Sequence, residues 1–588
     1  MKRLFVLAPL AVTLTLSLAS LTGCGGGSSS TPPPTPSITS FTASPTTIAA
    51  GSSSTLTGVF SNGTGVITPG NLPATSGTAV TVSPTTTTTY TLTVTPTSGT
   101  AVTAMAIVTV ASATVSSVTV DLTSTGPAVT NSLLGMNMAI WYDLVTNQTA
   151  IVDAFQAAGI TQVRWPGGSD SDLYHWADNS LCDGQFADTN DTFTNFVNDM
   201  AVPAKLDVAL TANYGSDPTC TTGGEPSEAA DWVTAALTAG ITPSHMTVGN
   251  EEYGSWEYDL HSTPNDPTIY AAAVVGSTGF YQSIKAASPK TLVGVVVDAG
   301  SPNNEWDSTV LANAKGSYDF VEYHYYPETP GEENDTFLVQ QAAQQLTTNI
   351  NTIRSELTEW GTPNTPIYVG EIGGAYSNPG KQSWSITQGL YAGQVLGEMM
   401  NDGVSRLTWW IGFGNCNGTN GNDTTSVYGW QDFGAYNVFS DGPTEDPTCP
   451  GAGPLGTMSP TAVAFQLFSQ MAVNGQTVLT ATVAGDTTDV RAYAATNPGG
   501  TALLLFNDNE TTAQQVTVTL SGKSSSPSVN VTTYDKAIYD LSGSPTGTPP
   551  DPVGTSTWAP PTTTSMGTQS LPLTLTLTPW SMNMVIIQ

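Results

Sequence analysis

The stretch LDVALTANYGSDPTCTTGGEPSEAADWVTAALTAGITPSHMTVGN, residues 206–250, decides the fold. It begins and ends with short apolar runs, LDVALTAN (206–213) and HMTVGN (245–250), and the amphipathic segment between them predicts a helix over 226–239. A strand, a helix and a second strand in this order predict a unit with two parallel strands. The fold therefore depends on how often this unit repeats.

The same alternation extends over residues 130–471. Six further strands are predicted at 133–139, 161–165, 291–298, 318–324, 366–371 and 405–411. Seven further helices are predicted at 148–158, 190–201, 267–287, 304–314, 335–360, 384–402 and 459–470. Eight strands that alternate with eight helices predict a closed (β/α)8 barrel. An open doubly wound sheet is the alternative, but no GxGxxG motif follows the first strand.

Two β-rich regions flank this barrel. Residues 37–112 contain short Thr/Val/Ser-rich runs with a period of two, broken by Pro and Gly, which predict a small antiparallel sandwich. This region is similar to the immunoglobulin-like modules of bacterial surface proteins, and we expect a spacer rather than a weak glycan-binding module. Residues 472–588 predict a second sandwich, which the strand 116–122 is expected to join. The predicted fold is therefore multidomain, with a TIM barrel between two β-sandwiches.

The composition excludes several classes of protein. The 588 residues correspond to two to four domains at about 150 residues each. Lys and Arg total 13 and Asp and Glu total 46, so the net charge is −33. Such a charge repels phosphate groups, which excludes nucleic-acid binding. Hydrophobic residues make up 39% of the chain and include 13 tryptophans, which is enough for a large core and excludes global disorder.

The first 23 residues predict an export signal. Lys2 and Arg3 precede an apolar run, and the run ends in LTGC (21–24), which resembles the lipobox of bacterial lipoproteins. The resemblance implies cleavage before Cys24 and acylation of its thiol; a plain signal peptide with an incidental cysteine is the alternative. The composition of the segment 24–36 predicts a tether, flexible and then stiff. We expect an exported protein, lipid-anchored at the bacterial cell surface or at the periplasmic face of a membrane.

The four other cysteines predict two disulfides. Cys182, Cys220, Cys416 and Cys449 are an even number in an exported chain. Three pairings are possible, and Cys182–Cys220 with Cys416–Cys449 is favoured because each pair joins neighbouring loops. The alternative is a four-cysteine metal site, which lacks the usual CxxC spacing.

Candidate catalytic residues follow from the strand ends, because reactive side chains of such barrels project from the carboxyl ends of the strands. These ends carry Arg164, Asn213, Asn250, Glu251, Asp298, His324, Tyr326, Glu371 and Trp410. Glu251 and Glu371 would face each other across the mouth at about 5 Å, and glycoside hydrolysis needs such a pair. Successive side chains point in different directions. We therefore expect only one of Glu251 and Glu252, and only one of Trp409 and Trp410, at the mouth.

Four motifs make the resemblance to a family specific. VRWPGGSDSDLYHW (163–176), TVGNEEYG (247–254), EYHYYP (322–327) and YVGEIGG (368–374) resemble clan A glycoside hydrolases. They are closest to the family 51 α-L-arabinofuranosidases, with relatives in families 39 and 79, and the resemblance covers residues 116–588. It implies a retaining, double-displacement mechanism on an oligo- or polysaccharide, without a cofactor.

The resemblance also implies roles for single residues. Glu251 would be the acid/base and Glu371 the nucleophile, with Arg164 bonded to Glu371. Asn250 would contact the hydroxyl next to the anomeric carbon, and His324 and Tyr326 would line the nucleophile's side.

Three further expectations concern the surroundings of this pair. Asn213 and Trp410 are expected to support the substrate by their position. Glu251 would need a raised pKa to stay protonated before the attack. The chain departs from the commonest family 51 pattern at Trp165, where Tyr is usual, and at SDSD (169–172) after PGG, so the substrate pocket is expected to differ.

No metal site is predicted. The four histidines show no HxH or HExxH spacing, and the loop 417–425 lacks the spacing of an EF-hand, which leaves calcium without support. The expected function is an α-L-arabinofuranosidase that acts on arabinan or arabinoxylan. The alternatives are a β-glucuronidase, a β-xylosidase or an endo-glucanase on the same fold, and a glycan-binding surface protein without catalysis. The scarcity of Lys and Arg argues against uronic acids; the sequence does not define the oligomeric state.

Overall fold

The structure is a computed structural model. It describes residues 34–48, 53–110, 114–142, 144–184, 187–299, 305–377, 379–414, 424, 426–429, 435–442, 453–522, 526–540 and 558–588. Outside these residues lie the predicted signal 1–23, the tether up to residue 33, Cys24, Cys416, Cys449, and the loop 417–425 apart from Thr424.

The chain divides into two compact units, Met1–Val110 and Ala111–Gln588. In its described part, the first unit consists of β1 (Ser37–Ser44), β2 (Thr47–Ile48), β3 (Ser54–Ser61), β4 (Thr64–Thr68), β5 (Leu72–Ala74), β6 (Ala79–Val82), β7 (Thr88–Thr95) and β8 (Val102–Val110). These strands form the sheets β1-β3-β6 and β2-β8-β7-β4-β5. Alternate side chains, including Leu56, Leu92 and Val108, meet in one apolar core. The unit is thus a two-sheet sandwich, and its immunoglobulin-like character stays a prediction.

The second unit begins with β9 (Thr114–Asp121) and continues into a barrel of eight parallel strands. The first two barrel strands are β10 (Gly135–Asn137) and β11 (Gln162–Trp165), and a short hairpin of β12 (Tyr174–His175) and β13 (Ser180–Leu181) follows them. The other six are β14 (Asp207–Ala212), β15 (His245–Val248), β16 (Leu292–Val296), β17 (Phe320–Tyr325), β18 (Ile367–Ile372) and β19 (Arg406–Trp409). The ladder closes where β10 pairs with β19, which confirms the predicted (β/α)8 barrel.

Helices follow the barrel strands. They are α1 (Leu144–Ala158), α2 (Phe193–Asn195), α3 (Val202–Ala204), α4 (Pro226–Thr238), α5 (Pro267–Val274), α6 (Phe280–Ala287), α7 (Trp306–Asn313), α8 (Asp335–Phe337), α9 (Ala343–Glu359), α10 (Ile386–Asn401) and α11 (Pro460–Ser469). The π-helical segments Phe196–Ala201 and Leu338–Ala342 join α2 to α3 and α8 to α9. Among the described residues, no helix is both long and apolar enough to cross a membrane.

Local sequence signals explain where several helices begin and end. The side chains of Asp266 and Ser459 accept hydrogen bonds from backbone N–H groups at the starts of α5 and α11, and proline follows each of them. The single helix predicted over 267–287 is wrong, because α5 and α6 are separate. Val275 takes an extended backbone conformation, and Gly276 has a φ of 91°, which ends the helix.

The C-terminal region forms one continuous nine-stranded sheet. Its later strands are β20 (Val478–Ala484), β21 (Val490–Asn497), β22 (Gly500–Asn507), β23 (Gln514–Leu520), β24 (Ser528–Asp535), β25 (Thr562–Thr568), β26 (Leu573–Leu577) and β27 (Ser581–Ile587), and the short helix α12 (Lys536–Asp540) follows β24. β9 lies between β20 and β23, antiparallel to the first and parallel to the second. Leu503 and Val585, on the paired strands β22 and β27, share one core with Val516 on β23, which lies far from them in the strand order, so the sheet folds over itself.

Candidate active site

Glu251 and Glu371 come together at the mouth of the barrel. Glu251 lies three residues after β15, and Glu371 lies near the end of β18. One carboxylate oxygen of each residue and one ring nitrogen of His324 lie within 4.8 Å of one another. Retaining glycosidases hold their two carboxyl groups about 5 Å apart, whereas inverting enzymes need a wider gap for a water molecule. The separation therefore has the dimension of a retaining pair.

The Glu371 carboxylate accepts hydrogen bonds from three groups. Arg164 Nη1 donates to Oε1 at 2.8 Å, and the backbone N–H of Gly168 donates to the same oxygen at 3.2 Å. The Tyr326 hydroxyl donates to Oε2 at 2.9 Å. Since these donors come from β11 with the turn after it and from the end of β17, they hold the carboxylate from two sides and fix its orientation.

The Arg164 side chain links several residues of the site through hydrogen bonds and ion pairs. Its guanidinium is buried, and its Nε lies 2.9 Å from Glu322 Oε1 in an ion pair. Its Nη1 also donates to Asn137 Oδ1 at 3.0 Å, and its Nη2 donates to Asn250 Oδ1 at 2.7 Å. The other end of the Asn250 amide donates to Glu257 Oε1 at 3.0 Å. The Asn250 amide is therefore held in one orientation.

Glu251 faces the cavity, and each of its carboxylate oxygens contacts one ring nitrogen. Its Oε1 lies 2.7 Å from His324 Nδ1, and Trp256 Nε1 donates to Oε2 at 2.9 Å. Burial favours the neutral carboxyl, but the hydrogen bond and the charge of His324 outweigh it, so the pKa of Glu251 is lowered. The expectation of a raised pKa does not hold in this arrangement, because it took no account of the imidazole beside the carboxylate.

His324 lies between three carboxylates. Its Nδ1 contacts Glu251 and lies 3.8 Å from Glu371 Oε2, while its Nε2 lies 3.1 Å from Glu322 Oε1. Burial lowers the pKa of His324, but the charge of Glu371 and the hydrogen bonds to Glu251 and Glu322 raise it to about 10. The imidazole is therefore positively charged at neutral pH.

A cavity of about 860 Å³ opens above the two carboxylates. Its lining residues are Trp141, Gly168, Ser169, Asn250, Glu251, Tyr253, Trp256, Asp298, Tyr326, Glu371, Tyr376, Trp410, Ile411, Gly414 and Tyr436. Trp256 is 65% exposed and Tyr376 57% exposed, so flat apolar rings face the solvent at the rim. None of these described lining residues is Lys, Arg or His. The cavity wall is therefore aromatic and, apart from its acids, uncharged.

The turn after β11 requires glycine for a steric reason. Gly168 has a φ of 71°, and a Cβ at this position would lie 2.6 Å from Cη2 of Trp410. Trp410 lines the cavity, whereas Trp409 is buried against Tyr391 and Phe465. Of the two tryptophans, one faces the mouth and the other packs in the core.

Asn213 and Trp165, which the sequence analysis placed at the substrate pocket, lie away from the cavity. Asn213 donates hydrogen bonds to the Tyr174 carbonyl and to Ser216 Oγ, and it does not belong to the cavity wall. Trp165 stacks on Phe196 at 4.9 Å, outside the barrel, because it alternates with the inward-facing Arg164. Trp165 is therefore not a difference within the pocket.

The SDSD segment does reach the site. Ser169 lines the cavity and donates to Glu257 Oε1 at 2.9 Å. Asp172 accepts hydrogen bonds from the backbone N–H groups of Tyr214, Gly215 and Asn250, which ties two strand ends together. Glu252 points towards Asp172, and burial raises its pKa well above the ordinary value.

Two groups of described residues have a spacing that suits metal ligands: Glu251, His324 and Glu371 in the site, and His175, Cys182 and Cys220 elsewhere. In the second group the two cysteines form a disulfide with a Cα–Cα distance of 5.4 Å. This disulfide confirms the predicted pairing of Cys182 with Cys220.

Sequence reasoning missed several residues of the site. Glu322 is two positions before His324 on β17, and the period of a strand places both on the inner face. Trp256 lies in the loop after Glu251, where no periodicity predicts its direction. Asn137 lies on β10 and donates to the Gly370 carbonyl at 2.9 Å.

No family model matches the chain, and no curated protein matches it. Solved structures do. An α-L-arabinofuranosidase from Thermotoga maritima, in complex with arabinose, has a TM-score of 0.61 at 15% identity over 80% of this chain and 100% of its own. A GH51 α-L-arabinofuranosidase from Thermotoga petrophila gives the same values. A family 44 xyloglucanase from Paenibacillus polymyxa has a TM-score of 0.54 at 12% identity, over 81% and 100% of the two chains. At such identities the likeness shows the fold.

Proposed function

We propose that this protein is a retaining glycoside hydrolase. The observation that carries the proposal is the meeting of Glu251 and Glu371 within 4.8 Å in an aromatic-lined cavity at the carboxyl end of a (β/α)8 barrel. The solved structures that share the fold are named as glycoside hydrolases, which supports the same class of reaction.

The site residues have the roles that a double displacement requires. Glu371, oriented by Arg164, Gly168 and Tyr326, attacks the anomeric carbon and forms a covalent glycosyl-enzyme. Glu251 delivers a proton to the leaving oxygen. Water then enters, Glu251 accepts a proton from it, and the bond between the sugar and Glu371 breaks. The configuration at the anomeric carbon is retained.

Within this class we propose an α-L-arabinofuranosidase that acts on arabinose-containing plant-type polysaccharides. The names of the two Thermotoga structures support this choice of sugar. The cavity wall also favours a neutral sugar, because no described lining residue offers a cation for a uronic acid carboxylate. The β-glucuronidase alternative is correspondingly disfavoured.

A chain-cleaving glucanase is the second candidate. It is favoured by the size of the cavity, about 860 Å³, and by the exposed rings of Trp256 and Tyr376, which suit the stacking of several sugar units. The Paenibacillus structure, named as a xyloglucanase, supports the same alternative.

A panel of nitrophenyl glycosides and defined oligosaccharides tests these proposals. We expect release of arabinose from α-L-arabinofuranosides, and a drop of at least about 100-fold in the Glu371→Ala and Glu251→Ala variants. Cleavage of internal glucan bonds alone would favour the glucanase. A wild-type protein that binds glycans without turnover would instead be a binding protein.

We also propose that the chain is exported and anchored by a lipid on Cys24. The lipobox-like LTGC and the tether sequence support this. Labelled fatty acid should be incorporated into the wild-type protein in a bacterial host and not into the Cys24→Ser variant. Equal labelling of both would contradict the anchor.

A further inference from the structure

We propose that Glu322 is a positioning residue that keeps a transferable proton on His324, and that this proton passes through Glu251 to the leaving group. This inference rests on the proposed glycoside hydrolysis. The hydrogen bond and charge of His324 lower the pKa of Glu251 and favour its ionised form, yet hydrolysis needs a proton from this carboxyl group.

Glu322 lies beneath the site and contacts no part of the cavity. It is fully buried on β17, forms an ion pair with Arg164 Nε at 2.9 Å, and accepts a hydrogen bond from the Thr247 hydroxyl. The neighbouring strand leaves room for it, because a side chain at Gly370 would overlap the Glu322 carboxyl. A buried carboxylate is unfavourable unless it is paired, so its place in the barrel centre requires both Arg164 and His324 as partners.

The contacts of Glu322 determine the state of His324. Nε2 of the imidazole faces Glu322 at 3.1 Å, and Nδ1 faces Glu251 at 2.7 Å. Ionised carboxylates only accept hydrogen bonds, so both ring nitrogens must donate, and the ring must be an imidazolium. In a neutral His324 the proton of the Nδ1 contact would lie on Glu251 instead, and the negative charges of Glu322 and Glu371, 3.1 Å and 3.8 Å from the ring nitrogens, favour its place on the imidazole.

The charges around His324 also favour the imidazolium. Facing it are the carboxylates of Glu251, Glu322 and Glu371 and, beyond them, the guanidinium of Arg164. Tyr326, which hydrogen-bonds to Glu371, stays neutral because burial raises its pKa well above the ordinary value. One permanent cation faces three carboxylates, and the imidazolium supplies the second positive charge.

The proton then moves in a closed cycle. As Glu371 bonds to the anomeric carbon it loses its charge, and the imidazolium loses one of the charges that stabilise it. His324 Nδ1 gives its proton to Glu251 Oε1, and Glu251 gives one to the leaving oxygen as the glycosidic bond breaks. In the second half, water forms a bond to the anomeric carbon, the bond to Glu371 breaks, and the water proton returns through Glu251 to His324. The sum is glycoside plus water giving sugar plus alcohol.

The Glu322→Gln variant tests this relay through the pH dependence of kcat/KM. The amide keeps the shape and removes the charge, so we expect the basic limb of the profile to move to lower pH by about 1 to 3 units. We also expect a greater loss of kcat/KM on an oligosaccharide than on a dinitrophenyl glycoside, whose leaving group needs no proton. A matched control is Asp508→Asn, a fully buried acid in the loop after β22. An unmoved basic limb, or equal losses on both substrates, would overturn the proposal.

A second measurement needs no variant to be active. In ¹⁵N-histidine NMR of the wild-type protein, which has four histidines, His324, assigned with a His324→Asn variant, should show two protonated nitrogens at pH 8. A neutral ring at this pH would overturn the relay even if the enzyme hydrolyses glycosides. An imidazolium in a protein that cleaves no glycoside would instead refute the proposed function.

Discussion

Replacing Arg164 with Met should destabilise the protein in a strongly pH-dependent way. The long apolar side chain fills much of the same space and removes the charge. It leaves Glu322 and Glu371 buried without the cation that lies 2.9 Å and 2.8 Å from them. Breaking a buried ion pair on one side destabilises a protein by about 3 to 5 kcal/mol, because the remaining charge has no partner. We expect a loss of this size in the free energy of unfolding at pH 7.

The pH dependence follows from Glu322. In the wild type, burial raises its pKa, but the charge of Arg164 and the contacts with His324 outweigh burial, so its pKa lies below the ordinary value. Its ionised form therefore stabilises the folded state above the unfolded pKa, and this contribution is lost as the pH falls through the folded pKa. Without Arg164, burial favours the protonated carboxyl. The deficit of the variant should then grow as the pH rises, by about 1.4 kcal/mol per pH unit for each proton it binds.

Tryptophan fluorescence during urea unfolding measures the stability of the unit Ala111–Gln588, which contains the barrel, because all 13 tryptophans lie beyond residue 110. The control is Arg406→Met at the other end of the barrel. Arg406 is as buried as Arg164, but its partner Asp207, at 2.7 Å, is 44% exposed and can be hydrated when left alone. We expect a smaller and less pH-dependent loss there. Equal losses for the two variants, or a deficit for Arg164→Met that shrinks between pH 5 and pH 8, would refute the reasoning.

Two further predictions concern the rim of the cavity. Gly168→Ala should lower kcat by at least about 10-fold, because its Cβ would meet Trp410 at 2.6 Å and its backbone N–H holds Glu371. The control is Gly184→Ala: Gly184 has a similar positive φ, but a Cβ there would meet nothing within 4 Å. This variant should lose only about 1 kcal/mol or more of stability through backbone strain, and its kcat should stay unchanged. A fall of kcat in both variants would contradict the clash with Trp410 as the cause. Tyr376→Ala should raise KM for oligosaccharides by about 2- to 12-fold, the equivalent of one lost stacking contact. KM for a small aryl glycoside should stay the same, and an equal rise for both substrates would contradict this subsite.

The strands and helices of the barrel could be predicted because the spacing of apolar residues along the chain follows which side of each element is buried. β17 and β18 are largely apolar runs with polar residues near their carboxyl ends, where side chains of a parallel barrel point towards the mouth. Glu371 could be found for this reason, and Glu251 could be found from the apolar strand before it. The break between α5 and α6 falls at GSTG (276–279), and the prediction of one helix over 267–287 gave too little weight to its two glycines.

The partners of the catalytic candidates were harder to predict, because they depend on distances between remote strands. The raised pKa expected for Glu251 assumed burial alone, but His324 lies 73 positions away along the chain and contacts it at 2.7 Å. Glu322 could be predicted to face the same side of β17 as His324, because the two residues are two positions apart. Only the closed barrel brings Arg164 beside Glu322. Asn213 has the correct position at a strand end, yet the turn after β14 uses its amide for local hydrogen bonds.

Trapping the covalent intermediate tests whether Glu371 is the nucleophile. The wild-type protein is incubated with an activated 2-fluoro glycoside of the sugar that it hydrolyses, digested, and mapped by mass spectrometry. We predict one sugar per chain, bonded to Glu371, and slower turnover but the same attachment in Glu251→Ala. A sugar attached to any other residue, or hydrolysis of a normal substrate with inversion and no trapped adduct, would contradict it.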